Sequence, residues 1–179
     1  MADENARVRL QAVVSCTYVP MAEAMEVAAR AADLPADKFL SYALNQAVFA
    51  LKPYWLPAFR AGRLNLENNP ARLGLLVRAD ATPDTLQAVR ELLRSAGLDG
   101  QARESYWRLL ADTGEARDLA EILRLTDGSL QARLLPALAT ATRVRHVRPA
   151  GDLAAALEAL VRGPSVALRA EALRLAGSW

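Results

Sequence analysis

Among 179 residues there is one cysteine, one histidine and only two lysines. A lone cysteine, Cys16, excludes a disulfide within the chain, a CxxC zinc site and covalent haem attachment through CxxCH. Its setting, Val13-Val14-Ser15-Cys16, reads as a small buried hydrophobe rather than a reactive thiol. No apolar run approaches the roughly 18 residues needed to cross a bilayer. The charged start, Met1-Ala2-Asp3-Glu4, lacks the apolar segment of a secretory signal. GxxxxGK[ST], a strand-borne GxGxxG, HExxH and GxSxG are also missing, so the commonest nucleotide, zinc-protease and hydrolase chemistries have no motif here.

What is present is ordinary globular material. Hydrophobic residues make up 53% and charged residues 23%, enough for a substantial core. The pI of about 9.0 looks basic, yet the net charge is only +2. Arginine supplies 20 of the 22 cations and does not titrate until very high pH, which lifts the pI without making a strong field.

Self-similarity is more informative. Asn69-Pro70-Ala71-Arg72-Leu73, Gly100-Gln101-Ala102-Arg103-Glu104, Leu130-Gln131-Ala132-Arg133-Leu134 and Ser165-Val166-Ala167-Leu168-Arg169 each set an arginine near the start of an amphipathic stretch. Ala6-Arg7-Val8-Arg9-Leu10 has the same texture about two periods upstream, with the intervening repeat near Leu40. A period near 30 residues marks an array of small supersecondary units. The units are helical. Ala102, Ser105, Tyr106, Leu109 and Leu110 share one helix face, as do Leu86, Val89, Leu92 and Leu93, and again Leu119, Ile122 and Leu123. Thr82-Pro83 is a helix start, and Gly62, Gly97, Gly114 and Gly163 stand where left-handed C-caps are expected. We therefore expect an all-α chain of nine to twelve helices in antiparallel pairs, a HEAT-like α-solenoid of about six helical hairpins. It forms a single repeat domain over residues 1–179.

Six of the ten aromatic residues fall in Phe39-Leu40-Ser41-Tyr42 through Gly62. Leu40, Ala43, Leu44, Ala47, Val48 and Leu51 make one apolar stripe, and Phe39, Tyr42, Gln46 and Phe49 make another. A helix apolar on two sides is expected in the interior of a stack, with its rings in the core. Pro53 should stop or kink it, and a second short helix should run from Tyr54 to Gly62.

Val8-Arg9-Leu10-Gln11-Ala12-Val13, Asp37-Lys38-Phe39-Leu40 and Leu51-Lys52-Pro53-Tyr54-Trp55 give the chain a resemblance to a known group, with weaker likeness at Val147 to Gly151 and Leu173 to Gly177. It resembles the HEAT-repeat region of large planctomycete-type proteins described as membrane-bound dehydrogenases or haem-binding CxxCH proteins. In that family the region lies between a β-propeller similar to sugar dehydrogenases and a C-terminal cytochrome c domain. The resemblance implies a piece of a longer exported, periplasmic or membrane-associated polypeptide concerned with electron transfer. Haem c would sit in the C-terminal domain and any oxidoreductase chemistry in the propeller. Neither flanking domain is in this sequence, so no catalytic or haem-binding residue carries over. No cofactor is expected in the chain itself.

Candidate interaction residues are few. Arg143, Arg145, His146 and Arg148 form the most basic stretch, expected as a solvated loop that could meet an anion or an acidic partner. One histidine without partners at ligand spacing is poor evidence for a metal. Asn45, Gln46, Tyr54 and Trp55 could line a groove, although buried amides more often bond to a neighbouring backbone. Glu115, Asp118 and Glu121 read as a wet helix face, Glu26 and Arg30 as an i,i+4 pair, and Arg72, Arg103, Arg133 and Arg169 as a structural ladder. The expected role is a non-catalytic scaffold that docks a protein or adjacent domains of the same polypeptide. The alternative is a nucleic-acid-binding solenoid with a basic concave face, comparable to the alkylpurine DNA glycosylases. An enzyme using Asn45, Gln46 or Tyr54 ranks last.

Overall fold

A computed structural model describes residues 3–95, 97–163, 165–177 and 179. Met1 and Ala2 of the charged start and Ser178 of the C-terminal Gly177-Ser178-Trp179 lie outside these. All regular structure among the described residues is helical. The described residues form eleven α-helices: α1 Ala6–Cys16, α2 Ala22–Ala29, α3 Lys38–Ala50, α4 Lys52–Arg60, α5 Pro70–Ala79, α6 Pro83–Arg94, α7 Gly100–Thr113, α8 Ala116–Leu123, α9 Gly128–Thr140, α10 Leu153–Arg162 and α11 Val166–Ala176. A 3₁₀ turn, Arg30–Asp33, follows α2, and a π-helical turn, Ala141–Arg145, extends α9.

Every helix except α2 and α4 is launched by a polar side chain that accepts from its first free backbone N–H groups. Asn5, Asp37, Asn69, Asp99, Asp127, Asp152 and Ser165 do so at their N-caps. Thr82 Oγ1 accepts from Thr85 N at 3.2 Å at the start of α6. At α8 a reciprocal box joins Glu115 and Asp118, whose Oδ2 accepts from Glu115 N at 2.8 Å. Asp118 is therefore buried, not part of a wet face. Spacing put it beside Glu115 and Glu121, but its position in the first turn of α8 gives it a backbone partner.

The α3–α4 junction follows from Pro53, which has no N–H to continue the ladder. Leu51 N closes α3 on Ala47 O at 2.9 Å, and Trp55 N opens α4 on Leu51 O at 3.0 Å. The Val48 carbonyl accepts instead from the Trp55 indole at 2.7 Å. Gly62 ends this pair of helices in the left-handed region, φ 65°. Gly97, Gly114 and Gly163 do not adopt that conformation, contrary to expectation. At Gly114 the requirement is space: a Cβ there would lie 2.5 Å from Leu110 O and 2.8 Å from Asp118 Oδ2.

The chain divides into two compact units, Met1–Leu92 and Leu93–Trp179. In the first, α1 packs on α3 and α3 on α5, while α2 packs on α1, α3 and α4. The buried stripe of α3 is the expected one: Leu40, Ala43, Leu44, Ala47, Val48 and Leu51 are all in the core. In the second unit α7 packs on α9 and α9 on α11, with α8 against α7 and α9 and α10 against α11. Its core gathers Leu119, Ile122, Leu134, Leu135, Leu138 and Leu175.

Tyr106 is fully buried in α7, and burial pushes its phenol pKa up to about 12. The unfolded chain, with its phenol near 10, gives up that proton first. Stability is therefore whole below pH 10 and declines as pH rises from about 10 towards 12. Chemical denaturation at pH 9, 10, 11 and 12 should show a shallower alkaline decline for Tyr106→Phe than for the parent chain.

Candidate functional site

Several long polar side chains turn inward and end on carbonyls at or near helix C-termini, where helices leave such groups unpaired. Arg9, buried in α1, donates to Ala31 O at 3.4 Å and Pro35 O at 2.9 Å. Buried Gln131 donates to the Ile122 and Leu123 carbonyls at the end of α8, at 3.1 and 2.8 Å. Arg169 reaches Gly163 O beyond α10 at 3.0 Å. A cation at this end also complements the helix dipole. Arg72 forms a bidentate pair with Asp33, at 2.9 and 2.7 Å, and meets Glu67 at 2.9 Å. Arg133 spans from α9 to Glu104 of α7 at 3.1 and 3.0 Å. Of the arginines expected as a ladder, Arg72, Arg133 and Arg169 carry contacts within the chain, as Arg9 does upstream, while Arg103 is half-buried in α7.

The basic stretch divides in the same way. Only part of it is a loop: Arg143 and Arg145 belong to the π-helical turn, which His146 ends in the left-handed region at φ 56°, and Arg148 follows in the irregular segment before α10. Arg145 folds back onto α7, donating to Gly114 O at 2.8 Å and Ala111 O at 3.0 Å. Burial lowers its pKa from the ordinary arginine value. Trp179 donates from its indole to Thr142 Oγ1 at 3.0 Å, holding the turn from another side. Arg143, His146 and Arg148 are left exposed. Cys16 is half-buried, and burial pushes its thiol pKa up.

The aromatic stretch departs furthest from expectation. Trp55 is fully buried, with Phe59 edge-on to it at 6.3 Å between centroids. It therefore leaves the set of candidate groove residues. The second stripe of α3, however, is not in the core: Phe39 is 62% exposed, Tyr42 67% and Phe49 50%. Asn45 and Gln46 stand on the same outer face, exposed rather than buried, and Tyr54 is exposed in the first turn of α4. Lys38 Nζ lies 5.0 Å from the centre of the Phe39 ring. Periodicity identified which residues share a face but not whether a neighbour covers it. The result is an uncharged aromatic and amide strip along about 15 Å of helix.

Glu26 and Arg30 do not pair with each other. Glu26 accepts from Asn65 N at 2.6 Å and Arg30 meets Glu67 at 3.4 Å. Both hold the segment in which Glu67 and Asn68 take left-handed backbone, φ 55° and 50°. Among the described residues, no three His, Cys, Asp or Glu side chains gather to hold a metal ion, and no helix is long and apolar enough to cross a membrane. Comparison with family models, curated proteins and solved structures finds no match.

Proposed function

We propose that the chain is a non-catalytic helical-repeat scaffold, a HEAT-like α-solenoid of about six hairpins that docks protein or neighbouring domains. The carrying observation is the packing order: within each unit, every second helix leans on the next, α1–α3–α5 and α7–α9–α11. A stack of hairpins produces that order because no single pair can hide its apolar face alone. The stretches that carry the family resemblance support the same reading by what they do. Asp37 caps α3, donated to by Phe39 N at 3.0 Å and Leu40 N at 2.8 Å, and Trp55 closes the α3–α4 junction. These are building roles. By analogy with the proteins it resembles, the chain would space a dehydrogenase-like propeller from a cytochrome c domain, with haem and redox chemistry held in those partners. The inward use of Arg9, Arg72, Arg145 and Arg169, and the pairing of Arg133 with Glu104, weigh against a phosphate track.

A repeat array loses stability locally. Leu175→Ala, at a buried position in α11, should cost about 2–5 kcal/mol there. Hydrogen exchange should then accelerate most in α10 and α11, less in α9 and least in α7. An equal acceleration from α7 to α11 would show one cooperative globule and end the repeat reading. Titration with short duplex DNA should show weak binding; tight binding that falls steeply with salt would restore the nucleic-acid alternative.

A further inference from the structure

We infer that the outer face of α3 is a homodimer interface, pairing antiparallel with the same face of a second copy across a two-fold axis. A two-fold interface must be complementary to itself, and the strip on α3 has that property in its sequence. Positions 39 and 49 are equidistant from Leu44, as are 42 and 46. Two antiparallel copies centred there set Phe39 level with the partner copy's Phe49, and Tyr42 level with its Gln46. Rings meet rings about 7.5 Å either side of the centre, and a phenol meets an amide about 3 Å from it. The phenol and the amide can each donate to the other, so the polar groups at the centre find partners.

Charge agrees with this arrangement. Within α3 itself Lys38 carries the one charged side chain, beside the weakly acidic phenol of Tyr42; α3 contains no carboxylate, and the exposed carboxylate of Asp37 stands at its N-cap. Self-pairing therefore brings no like charges together at the middle. The residue symmetric to Lys38 is Ala50, so each ammonium sits at the C-terminal end of the partner helix, where the dipole favours a cation. The rings supply much of the area. The three rings expose on the order of 350 Å², nearly half of the ~800 Å² that each partner gives to a standard interface. Exposed Ser41, Asn45, Gln46 and Ala50 lie among them.

Sedimentation velocity of the full chain over a concentration series tests the inference. A monomer–dimer equilibrium is expected, and Tyr42→Glu should weaken it by about thirty-fold or more, as loss of a central aromatic anchor does. Val144→Glu, at an exposed position on the π-helical turn, should leave it unchanged. Helical circular dichroism and Trp55 fluorescence verify that each variant folds. Register is tested by mixing the Tyr42→Glu and Gln46→Lys chains, which should recover association as a heterodimer. A monomer at all concentrations overturns the proposal, as does a dimer indifferent to Tyr42→Glu or a pair of variants that fails to recover. Any of these outcomes leaves the repeat scaffold standing, because that reading rests on packing within each unit.

Discussion

Trp55→Ala should destabilise the chain by about 3–5 kcal/mol, among the larger losses expected of any single side chain here. Trp55 is fully buried at the bend between α3 and α4, so its removal opens a cavity that α4, constrained by Pro53 and Pro57, cannot easily close. It also takes the donor from the Val48 carbonyl, which accepts the indole N–H at 2.7 Å. A buried acceptor left unpaired adds about 1–3 kcal/mol of desolvation cost. Trp55→Phe separates these effects in large part, because it keeps a six-membered ring in the site while losing the donor and a smaller share of the volume. Urea unfolding followed by circular dichroism should rank the parent chain above Trp55→Phe and Trp55→Phe above Trp55→Ala. A Trp55→Phe chain as weak as Trp55→Ala would show that the hydrogen bond, not the volume, holds the junction.

The same junction separates what could be read in the sequence from what could not. The helix start at Thr82 was legible because it acts on backbone within three residues of itself, the same local rule by which Asp37 and Asn69 cap α3 and α5. The stop at Pro53 was legible because a missing N–H is a local fact. Buried stripes were legible wherever one face alone was apolar, as in Leu119, Ile122 and Leu123 of α8. α3 is apolar on two faces, and there local pattern is mute. Coverage of the second face depends on where α1, α4 and α5 lie, which 3.6-residue periodicity does not encode. Two of the candidate residues, Trp55 and Arg145, turn out to be used within the fold for a related reason. Arg145 in a basic run looks like surface charge until the end of α7, more than 30 residues away in sequence, is seen to supply its carbonyl partners. Glu26 and Arg30 have the spacing to pair, but that interaction is worth only about 0.2–0.5 kcal/mol. The segment around Asn65 and Glu67 offers each a competing partner.

Asp33→Ala is the second large loss expected, about 3 kcal/mol, and it arises from the cation left behind. Arg72 is only 7% exposed, while Asp33 reaches the surface and accepts two of its guanidinium N–H groups. Asp33 also accepts from the Asn69 side chain at 3.1 Å, and Asn69 is the N-cap of α5. One carboxylate therefore ties the 3₁₀ turn after α2 to the first turn of α5. Arg9 grips the same turn and the residues just after it from α1, through Ala31 O and Pro35 O. Without Asp33, Arg72 keeps only Glu67, which is half-exposed and screened by water. Breaking one side of such a pair costs more than replacing both sides with apolar groups. Arg72→Met combined with Asp33→Leu should thus be more stable than Asp33→Ala alone, giving a large coupling energy in a double-mutant cycle. Surface ion pairs such as Arg124–Glu121 lose their value in about 1 M salt, where the screening length is about 3 Å. The Asp33→Ala deficit should persist there, since the guanidinium it strands is buried. A deficit that vanished in high salt would place the Asp33–Arg72 pair among those surface contacts and remove its claim to hold α5 in place.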